Sequence, residues 1–220
     1  VARRATKTRP DPPDLAPRRD PAPPVLEPSA LWDGVEAGAD VEVPQHVAGV
    51  RMRESRWVGA DLSGRRLAGF DCRDTEFVHC DLSGAVLEDA TLTRVAFTGC
   101  RLTGVVLSGA TLRDVRIADS RADLALLRMA TAKHLWIEDT SLRGTDLYAF
   151  DGADCAFLGC DLTDAALGDA QLPGVLLHGS TVGAVRGAAA LRGARIGADQ
   201  VVPLGAALLA ALDIAVTPAP

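Results

Sequence analysis

Cut every five residues, residues 80–112 read CDLSG AVLED ATLTR VAFTG CRLTG VVLSG ATL. The third residue of each block is large and apolar: Leu82, Leu87, Leu92, Phe97, Leu102, Leu107 and Leu112. With this position designated i, the frame runs from Val47 to Val182 as 28 repeats. Position i is large and apolar in 24 of the 28, the exceptions being Cys72, Ala122, Ala132 and Gly152. Position i−2 is small in 23 of the 28, all but Gln45, Arg65, Phe70, Leu135 and Phe150. Residues two apart on an extended segment point the same way, so i−2 and i face inward and i−1 faces out. The next inward residue comes three positions later, so the chain must turn in between. Twelve of the 21 glycines sit at i+2, together with Ser and Thr nearby, which supplies that turn. A period of five does not hold one face on a helix of about 3.6 residues per turn. The chain coils as a solenoid.

The aromatic residues count the repeats per coil. Trp57, Phe77, Phe97 and Phe157 all occupy i, separated by 20, 20 and 60 residues. Phe70 and Phe150 occupy i−2, are 80 apart, and are each followed by a reduced i residue, Cys72 and Gly152. Coils of twenty residues stack like aromatics on one side and let a large i−2 side chain be offset at i. Four repeats per coil give four sides.

These residues resemble the pentapeptide-repeat family, whose motif is Ala-Asp/Asn-Leu-x-x. The matching copies include Ala60-Asp61-Leu62-Ser63-Gly64, Cys80-Asp81-Leu82-Ser83-Gly84, Thr145-Asp146-Leu147 and Cys160-Asp161-Leu162-Thr163-Asp164. The resemblance covers residues 47–196 and implies an all-β fold, a right-handed quadrilateral β-helix. It also implies kinship with gyrase-protecting members that mimic DNA, some of which dimerise through their C-terminal end. The chain departs from many of those in having no loop projecting from the coils before residue 183.

A solenoid exposes apolar ends that need caps. Residues 31–46, with Leu31, Trp32, Val35, Val41 and Val43, are expected to cap the N-terminal end. After Val182 the frame slips, and Leu191 and Ile196 resume it one residue out of step. Asp199 is placed to N-cap a short C-terminal α-helix within 197–216, on which Val201, Leu204, Leu208 and Leu212 repeat at helical spacing. That stripe is expected to cap the last coil, to make a homodimer, or both. Residues 1–30 hold eight of the thirteen prolines and a net charge of +2, and are expected to form a disordered arm.

Little in the sequence points to chemistry, and no catalytic site, metal or cofactor is expected. The four histidines avoid i and i−2 and have no recurring nucleophile or carboxylate beside them. Cys80, Cys100, Cys155 and Cys160 fall at i−2 and Cys72 at i, where a thiol serves as a small core residue. The i−1 aspartates lack the spacing of a calcium loop. Neither a membrane-length apolar run nor a signal peptide is present, so the expectation is a cytoplasmic protein that binds neither membrane nor nucleic acid directly.

Surface charge is the remaining signal. The chain carries −6 overall, yet residues 138–169 alone carry −7, with eight acids against Arg143. Asp146, Asp151, Asp154, Asp161, Asp164 and Asp169 are all at i−1 or i+2, hence outward. A narrow, densely negative rod resembles duplex DNA to a groove built for phosphates. The expected function is a non-enzymatic binding protein, a DNA mimic acting on a type II topoisomerase such as DNA gyrase, or else a scaffold for another partner.

Overall fold

The computed structural model describes residues 9–215 and Thr217. The repeats wind into a four-sided parallel β-helix with twenty residues per coil. Strand Thr91–Thr98 pairs in parallel with Asp71–Val78 and Thr111–Ala118, and the latter with Thr131–Glu138. Partners in these four strands are twenty apart, as in Phe77↔Phe97 and Leu92↔Leu112. Each of these eight-residue strands turns a corner and so supplies two faces. The other two faces are joined by single bridges such as Asp81↔Arg101 and Val86↔Val106.

The inward frame holds throughout. All 28 residues at i are buried from Val47 to Val182, and at i−2 only Gln45 and Arg65 escape burial. Those two stack one coil apart, where Arg65 Nη1 donates to Gln45 Oε1 at 3.0 Å and Arg65 Nε donates to the Val43 carbonyl at 2.8 Å. The aromatic column is a stack: Trp57 to Phe77 is 6.2 Å between centroids, and Phe77 to Phe97 is 4.8 Å with planes 11° apart. All five cysteines are free and buried.

Every i+2 residue from Gly49 to Ala184 has positive φ, whichever side chain it carries. On the two bridged faces this closes a tight turn, with the Ala85 N–H donating to the Leu82 carbonyl at 3.0 Å and Val105 to Leu102 at 3.1 Å. The i−1 aspartates serve the same turn. The carboxylates of Asp61, Asp81 and Asp146 accept the N–H of Ser63, Ser83 and Tyr148 at 2.9 Å, and Asp161 that of Thr163 at 3.0 Å. The motif acid is therefore a turn clamp as well as a surface charge.

The offset between Phe150 and Gly152 is explicit. A methyl group added at Gly152 would lie 2.6 Å from Phe150 Cε1, 2.9 Å from Cys155 Sγ and 3.0 Å from Leu172 Cδ2. Gly152→Leu is expected to destabilise by about 2–3 kcal/mol through overpacking. Phe150→Ala combined with Gly152→Leu should recover much of that loss in urea unfolding. Equal midpoints for the single and double variants would rule out the offset.

The expected boundaries change at both ends. Residues 31–37 are a further coil in register, since Trp32 pairs with Met52 and Ala37 with Trp57, each twenty apart. Trp32 and Ala37 are buried and Leu31 is exposed, as the frame requires. The slip comes later, where Val41 and Val43 turn inward around Glu42. Residues 9–30, expected as a disordered arm, instead lie against the rod. Asp20–Pro21 pairs with Val35–Glu36, and Leu26 is fully buried as part of the N-terminal plug. Residues 1–8 lie outside the described part.

At the C-terminal end Leu176 pairs with Arg195, nineteen residues on, which is the one-residue slip expected from Leu191 and Ile196. Two 3₁₀ turns, Ala188–Leu191 and Ala198–Gln200, precede the helix Val201–Ala211. Asp199 does not cap that helix but lies in the second 3₁₀ turn, and the residue at the cap is Gln200. Gln200 is buried, donating at 2.5 Å to the carbonyls of Leu177 and Ser180, and so plugs the last coil. Leu204 is buried and Leu208 packs on the core, whereas Val201 and Leu212 are more than half exposed. The four residues thus do not share one buried face, and Val216 lies outside the described part. No helix among the described residues is long and apolar enough to cross a membrane.

Candidate interaction surface

The six distal aspartates are all outside the core, and they ring the rod rather than line one face. Asp146, Asp151 and Asp161 stand at i−1 on three different faces. Asp154, Asp164 and Asp169 stand on three different corners with φ of 54°, 62° and 55°. Asp146 pairs with Arg128 at 3.1 Å, Asp161 pairs with Arg143 at 2.8 Å, and Asp154 lies 3.6 Å from His134 Nε2. Partial burial works against charge on Asp161, but hydrogen bonds from Thr163 and Arg143 outweigh it and hold the carboxyl below its usual range. Asp151, Asp164 and Asp169 are exposed. Seven net charges on about two coils, roughly 10 Å of rod, is a density near the one per ~1.7 Å of duplex DNA.

A second charged feature was missed from the sequence. The corner that carries Asp74, Arg94, Asp114, His134 and Asp154 holds one of them per coil, so that an arginine and a histidine alternate with three aspartates along the rod. Arg94 donates to both carboxylate oxygens of Asp74 at 2.5 Å. His134 Nδ1 lies 3.0 Å from Asp114 and its Nε2 lies 3.6 Å from Asp154. Both ring nitrogens thus face carboxylates. The signal was present at a spacing of twenty, but it becomes visible only once the coil length is known.

The N-terminal segment runs along this corner as a strap. The Asp14 N–H donates to Asp74 at 3.1 Å and the Asp11 N–H to Asp114 at 3.2 Å. Arg9, the first described residue, lies 3.3 Å from Glu138 and over the Trp136 ring at 5.3 Å. Burial penalises the Asp74 charge, but Arg94 and the Asp14 N–H more than offset it, so its carboxyl titrates below the usual range. A depressed carboxyl stabilises the fold above its unfolded value and loses that contribution as pH falls through the folded value. Between about pH 5 and 3 the melting temperature should therefore fall less for Asp74→Asn than for the wild type. Equal falls would mean that Asp74 carries none of the acid sensitivity.

Burial pushes the Cys155 thiol up to about 12 and the Cys160 thiol up to about 11, away from the reactive thiolate. Among the described residues no group of three or more His, Cys, Asp or Glu side chains is arranged to hold a metal ion.

The comparisons with known proteins fall on the repeats. Residues 50–127 match the family model for the pentapeptide repeat region. Among solved structures, HetL, a pentapeptide repeat protein involved in heterocyst differentiation regulation from the cyanobacterium Nostoc sp. strain PCC 7120, is 17% identical with a TM-score of 0.45. That match covers 76% of this chain and 87% of HetL. QnrB1, a plasmid-mediated fluoroquinolone resistance protein, is 16% identical in a trypsin-treated variant form with a TM-score of 0.45, over 90% of this chain and 96% of that one. Rfr23, a pentapeptide repeat protein from the cyanobacterium Cyanothece 51142, is 12% identical with a TM-score of 0.21, over 66% of this chain and 88% of its own. No curated protein sequence matches the chain. The five-residue frame, the twenty-residue register and the match over residues 50–127 together establish that this chain carries a pentapeptide repeat region and has the pentapeptide-repeat β-helix fold.

Proposed function

We infer that this chain is a non-enzymatic binding protein whose acidic distal coils occupy a groove that otherwise takes the phosphates of duplex DNA. The groove expected from the family resemblance is that of a type II topoisomerase such as DNA gyrase, which the protein would modulate or shield from inhibitors. The observation that carries this reading is the ring of outward acids from Asp146 to Asp169 on a narrow rod. Cationic grooves bind such charge through contacts that weaken with salt. Purified protein should reduce gyrase supercoiling, compete with a short DNA duplex for the enzyme, and lose both effects as salt rises. A second reading, a scaffold for another protein, is favoured by the neighbouring coils, since residues 94–133 carry a net charge of +4. A rod with two signs of charge suits a partner with two signs. Absence of any effect on supercoiling or duplex competition would leave the scaffold.

A further inference from the structure

Apolar residues hold i−1 on two faces of the rod: Ala96, Trp136, Ala156 and Leu176 on one, and an unbroken aliphatic run over three consecutive coils on the other. Along this second face the outward residues, one per coil, are Arg66, Val86, Val106, Leu126 and Asp146, joined by parallel bridges at steps of twenty. The three aliphatic residues are partly exposed. The edges of the same face carry Leu124 and Met129, 60% and 61% exposed, at φ of 58° and 56°. Glycine fills the neighbouring positions of Leu124's corner, at Gly84, Gly104 and Gly144. A branched apolar side chain there takes a conformation it disfavours and gains no burial within the chain. Among the described residues the strap contacts a different corner, that of Asp74 and Asp114.

We propose that this face is a self-association surface for a second copy of the chain, packed antiparallel about a two-fold axis at the level of Val106. The order of charges selects the occupant. An antiparallel two-fold brings Arg66 of each copy opposite Asp146 of the other, and Val86 opposite Leu126. One row over, it brings Glu88 opposite Arg128. At the edge it sets the protruding Leu124 against the flat corner at Gly84. Met129 falls opposite Asp89 at the rim, where the carboxylate stays in water. Parallel packing would instead set Arg66 on Arg66 and Asp146 on Asp146. An isologous interface requires this kind of self-complementarity. Within each chain Arg66 already pairs with Glu88 at 3.7 Å, and Arg128 pairs with Asp146 at 3.1 Å. Association would join the two pairs into a quartet of alternating sign at each end of the apolar strip. The strip spans five coils, about 19 Å, which is small for a permanent dimer, so association should depend on concentration.

The test uses two half-swaps of the full chain, Arg66→Glu with Glu88→Arg, and Arg128→Glu with Asp146→Arg. Each keeps its internal ion pair; Asp146→Arg also gives up the turn bond from the Tyr148 N–H, so a urea midpoint for each half-swap establishes that it folds before its association is compared. Each alone sets like charges across the interface. Mixed one to one, the two half-swaps restore every opposition. Sedimentation from roughly 5 to 500 µM should show a wild-type dimer, at least tenfold weaker association of either half-swap alone, and recovery in the mixture. Leu208→Glu should leave the wild-type dimer intact. A wild type that stays monomeric, half-swaps that dimerise like the wild type, or a mixture no better than its parts would each overturn the proposal. So would a dimer lost only in Leu208→Glu, which would belong to the C-terminal helix.

Discussion

Leu107→Asp is expected to cost about 4 kcal/mol, a large part of the stability of a domain of this size. Leu107 is a buried i residue, stacked between Leu87 and Leu127 in the same column, and both of those are buried too. The substitution removes apolar contacts and places a carboxylate where no partner stands. The group must either protonate or draw water between coils, and either response breaks the stack. Its neighbour supplies the control, because Val106 points out of the same face. Val106→Asp should change stability by less than about 1 kcal/mol at dilute concentration. Urea midpoints for the two variants decide the matter. Equal losses would mean that the inward and outward positions of the frame have been exchanged.

That one-residue contrast shows why so much of the fold could be read from the sequence. The five-residue frame assigns inside and outside by counting, and the twenty-residue spacing of Phe77 and Phe97 assigns the column. Even the exceptions carried information, since Gly152 is small because Phe150 fills its space. The ends were harder for a physical reason. Residues 9–30 have the composition of a segment that cannot fold alone, and by themselves they would not. They gain structure from the rod's carboxylates and strand edges, as Asp14 does from Asp74 and Asp20–Pro21 from Val35–Glu36. Gln200 lies past the end of the five-residue frame, where counting assigns neither inside nor outside, yet it is buried and donates to two carbonyls of the last coil. The candidate surface was legible in its residues but not in their roles. Asp146 and Asp161 also clamp turns and pair with arginines, which no charge count reveals.

Those roles shape the largest functional prediction. Replacing Asp146, Asp151, Asp154, Asp161, Asp164 and Asp169 together with Asn should weaken binding to the topoisomerase by roughly 100-fold at moderate salt. The fold should survive, for two reasons that the structure supplies. At Asp146 and Asp161 the Asn carbonyl oxygen can still accept the N–H of Tyr148 and Thr163. At Asp154, Asp164 and Asp169 the backbone has positive φ, which Asn tolerates about as well as Asp. The change also frees Arg128 and Arg143 from their carboxylates, so the band loses six negative charges and gains two unpaired positive ones. The salt dependence of binding should flatten along with the affinity, because fewer phosphate-like contacts remain to be screened. Asn at Asp61, Asp71 and Asp81 removes charge of the same kind from coils nearer the N-terminus and should change affinity by less than about threefold. If the sixfold variant binds as tightly as the wild type, or if the proximal triple weakens binding as much, the acidic band is not the surface that meets the enzyme.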